Sequence, residues 1–499
     1  MDNEEFLLTN WKKFWLKNKK RKIAQIVDKF KSDSLFFSSP SINDDGMVKW
    51  IKDIGYSNLN LLTLSQFIVE FHDYINLANK KILLMQNINK PNFIYEAFSS
   101  VANEFGANLF VTKHKQKTCY VIVKEIIKRI NVDYAFYFYE QNKEIFMEIY
   151  NGKGEKINDN NLTEAINNSK YQNIDIPKYS FDKTINIDQS LIIEDYIEKI
   201  IRKFSGNSLY DEPLVNIFVY KNNTEYNQIF KIIGKKMNWK IRFSKLLNKN
   251  IFNKFLNWFY VRFIEKQDLI FNYSENFVLP EIKMLHNTTH KTIQINNLIG
   301  SFLDYFLEDQ KRLNQNNNDI NLELDIYTNN FVKKIINKYK NLTLNKGNNY
   351  LFKKEEEFIS LSNDYINDNI PFIFKFIQYV NYLKNQNINF SLRWKNLFKI
   401  YGDYFEIKKS FKFKKVDHDV FMESIKNIFA NSQFELLEWE RTNNKTKLVF
   451  DHDVFAVIYF DDKNQKYNIF ININKNQQKF KKKAKNLFKI IERSIIESE

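Results

Sequence analysis

Residues 131–150 read NVDYAFYFYEQNKEIFMEIY, and this stretch decides the fold class. Two runs rich in Tyr, Phe and Ile, at 134–139 and 145–150, are typical of β-strands, and the polar residues between them predict a hairpin. The preceding residues 93–105 repeat apolar side chains at helical spacing, which predicts an amphipathic helix. A helix beside paired strands indicates a mixed α/β unit over residues 91–150.

The C-terminal region has a second clear strand pattern. A helix is predicted over 421–429, and a basic helix over 478–491 closes the chain. Between them, four apolar runs separated by polar turns predict strands, at 434–440, 447–450, 454–460 and 467–473. These patterns indicate an α+β domain over 411–499.

Patterns of this kind along the whole chain predict a multi-domain protein. The predicted regions are a helical N-terminal region at 1–90, a mixed α/β unit at 91–150, a polar linker region at 151–205, a second mixed α/β unit rich in basic and aromatic residues at 206–275, a helical region at 276–410, and an α+β C-terminal domain with a basic terminal helix at 411–499. The predicted fold class is therefore α+β: multi-domain and helix-rich, with small mixed or antiparallel sheets.

The composition excludes several classes of protein. Only 10 Gly and 6 Pro occur in 499 residues, which excludes collagen-like, linker-rich and Pro-rich architectures. Asn, Ile, Lys, Phe and Tyr are abundant, and their codons indicate an AT-rich genome. The single cysteine, Cys119, excludes a disulfide framework and a cysteine-based zinc module. No run of 18 apolar residues occurs, so we expect no membrane span.

The first residues, MDNEEFLLTNWKKFW, contain early acids and no apolar signal-peptide core. They are also not rich in Arg and Ser, as an imported transit peptide would be. We therefore expect the protein to work where it is made. That compartment is the mitochondrial matrix if an organelle genome encodes the protein, and the cytoplasm otherwise.

Positive charge is the main functional signal in the sequence. The chain has 75 Lys and Arg against 59 Asp and Glu, a formal net charge of +16, which favours polyanionic partners. Clustered lysines can neutralise nucleic-acid phosphates without reading base sequence. The candidate nucleic-acid-binding residues are Lys19, Lys20, Arg21, Lys22, Lys235, Lys236, Lys240, Arg242, Lys479, Lys481, Lys482, Lys483, Lys485 and Lys489.

No enzyme motif accompanies this charge. The Walker A, GxGxxG and GxSxG patterns are all absent from the sequence. The predicted function is a structural, RNA-binding component of a large ribonucleoprotein, in its sharpest form a divergent, mitochondrially encoded ribosomal protein. The expected partners are RNA, in particular rRNA, and neighbouring proteins of the assembly. No catalytic residue, metal or cofactor is predicted, and the protein is not expected to be an enzyme.

The 131–150 hairpin also supports an enzymatic alternative. It resembles the core of PD-(D/E)xK nucleases, in which acids at adjacent strands are followed by a lysine. Asp133 and Glu148 match the two acids, Glu96 supplies a third, and Tyr150 stands at the lysine position. The resemblance implies Mg²⁺ held by the carboxylates and cleavage of nucleic acid. A protein-interaction scaffold without catalysis is the other alternative.

Three weaker patterns suggest binding sites. Residues 234–237, GKKM, echo the GXXG loop with which KH domains hold a nucleic-acid backbone. Asp-His-Asp triplets occur at 417–419 and 451–453, where a metal site or helix capping would explain them, and we expect capping for the first. His286 and His290 have the spacing of a helical zinc pair, but the residues between them are poor helix formers.

Overall fold

The computed structural model describes most of the chain, in several segments. The described residues are 3–30, 34, 36–43, 46–50, 55–88, 92–112, 117–141, 144–174, 184–206, 212–220, 224–244, 267–273, 279–286, 289–312, 320–339, 342–343, 352–355, 358–365, 367–412, 427, 436–442, 445–450, 453–461 and 466–474.

Helices and strands alternate along these segments. The α-helices are α1 Asn3–Lys17, α2 Arg21–Ile26, α3 Leu61–Ile75, α4 Asn92–Glu104, α5 Val123–Ile130, α6 Asn160–Asn168, α7 Ser190–Phe204, α8 Thr224–Met237, α9 Ile295–Arg312, α10 Asn330–Asn337, α11 Ile370–Asn385 and α12 Phe390–Tyr401. The strands are β1 Ser41–Ile42, β2 Val48–Trp50, β3 Lys81–Asn87, β4 Asn108–Thr112, β5 Tyr134–Gln141, β6 Glu144–Asn151, β7 Thr184–Ile187, β8 Asn216–Tyr220, β9 Lys240–Ser244, β10 Leu269–Asn272, β11 Glu281–His286, β12 Thr289–Thr292, β13 Ile320–Glu323, β14 Leu342–Thr343, β15 Phe352–Glu355, β16 Phe358–Leu361, β17 Tyr404–Lys412, β18 Leu436–Thr442, β19 Lys445–Phe450, β20 Val454–Asp461 and β21 Lys466–Asn474.

The chain divides into two compact units, which are described separately. The first comprises Met1–Lys203, Lys221–Lys236 and Ser274–Phe277. The second comprises Phe204–Tyr220, Met237–Tyr273 and Val278–Glu499.

The first unit contains a seven-stranded sheet in the order β1-β2-β6-β5-β3-β4-β7. β3 is parallel to β4 and β5, and its residues 82–85 are fully buried. Burial on both faces explains why this strand is a continuous apolar run and does not alternate. On one face, Phe67 of α3 and Phe98 of α4 pack edge to face against Phe136 of β5. The core of the first unit lies between these helices and the sheet.

One strand arrangement occurs three times among the described residues. In each case a first strand is parallel to the second on one side and to the third on the other, and the fourth strand is antiparallel to the third. The three sets are β3–β6, β8–β11 and β13–β16. Each set therefore has a topological switch point between its first and third strands, where connections leave in opposite directions.

A five-stranded antiparallel sheet ends the described part of the second unit. Its order is β17-β21-β20-β19-β18. Phe455, Val457 and Phe470 form a cluster on one face, and Ile326 and Tyr327, from the segment after β13, pack against it. These contacts link the third mixed sheet to the antiparallel sheet within the second unit.

These features confirm the predicted fold class, a multi-domain α+β protein with small mixed and antiparallel sheets. The predicted strands at 134–139 and 145–150 correspond to β5 and β6. Pro371 lies in the first turn of α11, where proline is tolerated. Strands β13–β16 lie in residues for which the sequence predicts helices. Among the described residues, no helix is long and apolar enough to cross a membrane.

Gly300 on α9 provides a test of the packing in the second unit. A Cβ atom at this position would overlap the ring of Phe331 and lie 3.1 Å from Cδ1 of Ile335, both on α10. Overpacking of this kind costs about 1–3 kcal/mol, and the better helix propensity of alanine offsets only about 1 kcal/mol. We expect Gly300→Ala to lower the free energy of unfolding in urea by about 1 kcal/mol and by at most about 2 kcal/mol.

Ser301→Ala is the matched control on the same helix. The Ser301 hydroxyl is buried and has no hydrogen-bond partner in the described part of the chain. Its removal should leave the free energy of unfolding unchanged or slightly higher. Equal stability of Gly300→Ala and the wild type would contradict the close α9–α10 contact.

Candidate functional site

The switch point of the first sheet lies between β3 and β5. Open α/β sheets bind ligands outside the carboxyl ends of their parallel strands at such points. The parallel strands at this edge include β3, β4 and β5, which end at Asn87, Thr112 and Gln141. This edge is the first place to expect a ligand in the first unit.

Neutral polar groups form a network behind this edge. The side-chain nitrogen of Gln86 donates to the hydroxyl of Tyr95 on α4. The Thr118 hydroxyl donates to that of Thr112 over 3.5 Å, and the Thr118 backbone N–H donates to the backbone carbonyl of Gln86 over 2.8 Å. Burial raises the pKa of Tyr95, so its phenol stays protonated at neutral pH.

Two buried amide oxygens at this edge have no hydrogen-bond partner in the described part of the chain. They are Oε1 of Gln86 and Oε1 of Gln189, which follows β7. The side-chain nitrogen of Gln189 is held by the Lys117 carbonyl, 2.8 Å away. Because buried acceptors are normally hydrogen-bonded, these oxygens mark the edge as one that can take a hydroxyl group or water.

The β5–β6 hairpin carries a buried carboxylate, Glu148, which is 2% exposed. It accepts hydrogen bonds from Nζ of Lys156 over 2.8 Å, from the Tyr139 hydroxyl over 3.3 Å, and from the Tyr150 hydroxyl. Burial and the charge of Glu148 raise the pKa of Tyr150. Burial opposes protonation of Lys156, but the charges and hydrogen bonds of Glu148 and Tyr120 together outweigh it and raise the pKa of that amine. Glu148 is therefore held in an internal ion pair.

The three acids of the nuclease resemblance do not converge. Asp133 precedes β5 and accepts a backbone hydrogen bond from the start of β3 over 2.8 Å. Glu148 lies opposite the β5 residue that is four positions after Asp133. The two acids are therefore about 13 Å apart along the strand. Glu96 lies on α4, which packs on the Phe136 face of the sheet, opposite to Glu148. The metal site that the resemblance implies is not formed.

The second sheet has its switch point between β8 and β10, which end at Tyr220 and Asn272. Beside it, Glu281 of β11 accepts hydrogen bonds from the Thr292 hydroxyl over 2.7 Å and the Asn272 side chain over 3.2 Å. Nζ of Lys283 lies 3.5 Å away. Burial opposes ionisation of Glu281, but the Thr292 hydrogen bond and its other partners lower the pKa of this carboxyl group.

Charged groups occupy the third switch point, between β13 and β15. Lys354 of β15 is 3% exposed and pairs with Asp325, which follows β13. Burial lowers the pKa of Lys354 and raises that of Glu406 on β17. The Asn296 side chain donates to Glu406 over 2.5 Å and to the Tyr327 carbonyl over 3.0 Å. These hydrogen bonds connect the carboxyl edge of the third mixed sheet to the antiparallel sheet.

One face of the antiparallel sheet combines lysines with aromatic rings. Lys445 and Lys447 are two residues apart on β19 and therefore share a face. Nζ of Lys447 lies 5.1 Å from the ring centre of Phe455, and Nζ of Lys445 lies 5.5 Å from that of Tyr459. Burial and the neighbouring Lys333 of α10 lower the pKa of Lys447 to about 8. We call Lys333, Lys445 and Lys447 the lysine cluster, a group of cations that an anion would stabilise.

The first basic group predicted from the sequence lies at the junction of α1 and α2. Lys19 and Lys20 separate the two helices, and Arg21 and Lys22 begin α2. Nζ of Lys20 lies 5.3 Å from the ring centre of Trp15. A nucleic-acid role for these residues stays a sequence-based prediction.

The other predicted basic residues lie in several elements. Lys235 and Lys236 are in the last turn of α8, and Lys236 pairs with Glu198 over 2.5 Å. Lys240 and Arg242 are two residues apart on β9. Six more lie outside the described residues: Lys479, Lys481, Lys482, Lys483, Lys485 and Lys489.

The KH interpretation is wrong on local geometry. Residues 234–237 form the last turn of α8, which runs unbroken from Thr224 to Met237. A GXXG clamp requires a loop between two helices at this position. The backbone approach expected of Gly234 is therefore absent.

The histidine pair is also not a helical zinc site. His286 ends β11 and His290 lies on β12, with Leu285 opposite His290 in the hairpin. Nε2 of His290 lies 2.8 Å from the Gln267 carbonyl oxygen. A pair on two antiparallel strands lacks the one-turn spacing that the helical motif requires.

Of the second Asp-His-Asp triplet, only Asp453 lies among the described residues. Asp453 accepts hydrogen bonds from Nζ of Lys334 over 2.5 Å and from the Tyr404 hydroxyl over 2.9 Å, so it belongs to an exposed ion pair. Residues 417–419 and 451–452 lie outside the described residues. Among described residues, no group of three or more His, Cys, Asp and Glu side chains is placed to hold a metal ion.

Comparison with solved structures finds this fold over most of the chain. A protein described as a phosphomannomutase from Thermus thermophilus matches with a TM-score of 0.58 and 6% identity, over 88% of this chain and 96% of that chain. The open form of the exocytosis-sensitive phosphoprotein pp63/parafusin, a phosphoglucomutase from Paramecium, matches with a TM-score of 0.56 and 10% identity, over 88% and 91%. No family model matches the chain, and no curated protein matches it in sequence.

These comparisons contradict the functional predictions made from charge. The similar folds are those of proteins named as sugar phosphomutases, and such a protein is an enzyme. The prediction of a structural RNA-binding or ribosomal protein, with rRNA and ribosomal neighbours as partners, is wrong. The prediction that the chain is not an enzyme is wrong. The two alternatives to the RNA-binding function, a nuclease and a non-catalytic scaffold, are also wrong.

The pKa of Lys447 makes the stability of the protein depend on pH. Its pKa of about 8 in the folded state lies below the ordinary lysine value of 10.5, so the unfolded chain binds more protons between these two values. Burial of the charged amine costs about 2–3 kcal/mol below pH 8, and this cost disappears as the pH rises toward 10.5. We expect Lys447→Met to be more stable than the wild type at pH 7 in urea unfolding.

The stability difference between the two proteins should shrink as the pH rises from 8 to 9.5. Lys399→Met, which removes an exposed lysine of α12, is the control for net charge and should show no such trend. A constant difference between Lys447→Met and the wild type across this range would rule out the lowered pKa.

Proposed function

We propose that the protein is a sugar phosphomutase: an enzyme that binds a hexose phosphate and moves its phosphoryl group between hydroxyl groups of the sugar. One observation carries the proposal, the likeness of the fold to two proteins named as phosphomannomutase and phosphoglucomutase over 88% of the chain. Because fold alone does not imply function, the proposal also requires suitable chemistry at the sites of this chain.

The lysine cluster suits the phosphate group. A sugar phosphate carries close to two negative charges at neutral pH, and lysine amines bind such groups as point charges. A phosphate beside Lys447 would offset the cost of burying its positive charge, because an adjacent anion raises the pKa of an amine. The same positive charge would stabilise the charge that spreads over the phosphoryl oxygens during transfer.

The neutral edge of the first sheet suits the hydroxyl groups of a sugar. Asn87 is the last residue of β3 and is partly exposed, with the Gln86–Tyr95 pair behind it. Side-chain amides both donate and accept hydrogen bonds, which matches the dual character of hydroxyl groups. Within the first unit taken by itself, and independently of the lysine cluster, Asn87 is the residue placed to contact a sugar hydroxyl, and Gln86 and Tyr95 position the strand end.

Phosphoryl transfer is commonly assisted by Mg²⁺. Among the described residues, no group of three or more His, Cys, Asp and Glu side chains is placed to hold such an ion. We therefore assign no step of the reaction to a metal.

The direct test follows glucose 1-phosphate and mannose 1-phosphate by ³¹P NMR in the presence of the protein. The expected result is growth of the corresponding 6-phosphate signal, with no release of inorganic phosphate. Binding of the sugar phosphates without conversion would contradict the catalytic part of the proposal. The absence of both binding and conversion would overturn it entirely.

The lysine cluster should control affinity for the phosphate group. Loss of a charged hydrogen bond costs about 1.5–3 kcal/mol, so Lys447→Met should weaken glucose 6-phosphate binding by about tenfold or more in calorimetry. The wild-type affinity should also fall as the pH rises above 8, because Lys447 loses its proton. Lys399→Met should bind like the wild type. Equal affinity of Lys447→Met and Lys399→Met would remove the lysine cluster from the site.

A further inference from the structure

The second unit contains a pocket that the proposed function does not use. Its volume is about 260 Å³, and it lies at the amino end of β10, beside the turn that joins α11 to α12. The residues that line it are Asp268, Leu269, Met284, Leu285, Val380, Lys384, Asn387, Ile388, Asn389 and Phe390. Because the switch point of this sheet is at the opposite, carboxyl end of β10, the pocket is a separate site.

Most of the pocket wall is apolar. Leu269 and Met284 are buried neighbours on β10 and β11, and Phe390 begins α12. The Phe390 ring is fixed by edge-to-face contacts with Phe376 and Tyr379, at 5.7 and 5.6 Å between ring centres. A wall of this kind favours the flat, apolar face of a ring.

An oriented ion pair forms the polar part of the wall. Nζ of Lys384 donates to Oδ2 of Asp268 over 2.7 Å and to the Leu214 carbonyl over 2.9 Å. The backbone N–H of Asn216 donates to the same Oδ2 over 2.7 Å. Lys384 therefore keeps a third N–H, and Oδ1 of Asp268 keeps its acceptor capacity. The pair offers one donor and one acceptor side by side.

Side-chain amides add further polar groups at the pocket. Oδ1 of Asn389 accepts the backbone N–H of Ser391 over 2.8 Å as the N-cap of α12, which fixes the orientation of that side chain. Asn387 also lines the pocket, in a left-handed conformation with φ of 56°. A ligand held here would meet apolar contacts on its faces and hydrogen-bonding groups at its edge.

From this arrangement we infer that the pocket binds a planar heterocycle whose edge carries a donor next to an acceptor, the chemistry of a nucleobase. The acceptor of the ring faces Lys384, and its donor faces Oδ1 of Asp268. The volume suits a single base, because pockets for drug-sized ligands begin at about 300 Å³.

The test uses ligand-observed NMR on the full chain, with adenosine, guanosine and uridine as probes. Saturation should pass from the protein to the base protons of at least one nucleoside, in a concentration-dependent and saturable way. Ile388→Trp should weaken this binding at least tenfold, because Ile388 is 40% exposed and lines the pocket, where a larger side chain fills the space.

Ile400→Trp is the matched control, since Ile400 is 70% exposed on α12 and does not line the pocket. It should bind the nucleoside like the wild type. Failure of all three nucleosides to bind the wild type overturns the inference, and so does equal binding by Ile388→Trp. Either result leaves the sugar-phosphate proposal unaffected, because glucose 6-phosphate binding is measured separately on the same proteins.

Discussion

In the described part of the chain, three of the four sheets depend on one constraint, a strand that hydrogen-bonds to parallel neighbours on both sides. The chain must cross over this first strand as it passes from the second strand of the set to the third. The connections therefore leave in opposite directions at the carboxyl ends of the strands. Polar residues distant in sequence come together there. Gln86, Thr112 and Gln189 follow three different connections, yet all lie at the carboxyl edge of one sheet. The pairing of backbones thus decides which side chains can share a site.

The local part of this architecture could be predicted from the sequence. β5 and β6 are each eight residues long, and their side chains alternate between polar and apolar or are mostly aromatic. Their strand pattern is therefore visible in the sequence without any knowledge of the strands they pair with. β15 is four residues long and reads FKKE, which has no strand signature, and its buried Lys354 is stable only because Asp325 lies beside it. The threefold repeat escapes detection because it is a repeat of topology, and the first strands read KILLMQN, NIFVY and INLE.

Net charge misled the functional prediction because a formal count does not show where the charges lie. Lys354 and Lys375 are each no more than 5% exposed, and each forms an ion pair inside the protein. Nζ of Lys375 lies 3.5 Å from Asp309, and Lys338 lies 3.3 Å from the fully buried Asp304. An AT-rich coding bias favours lysine, so lysine takes internal ion-pairing roles that do not imply a polyanionic partner. The sequence alone could not distinguish the lysines of the candidate site from the lysines that form ion pairs inside the protein.

The geometry of the lysine cluster also explains why a single phosphate group suits this chain better than a polyanion. Lys445 and Lys447 lie on one face of one strand, and Lys447 is 6% exposed. The cluster therefore offers its charges at one place, whereas a polyanion is neutralised by charges spread along its length. A lysine with a pKa near 8 is well matched to such a ligand. It is charged at neutral pH, where burial makes that charge costly, and a bound phosphate would offset this cost.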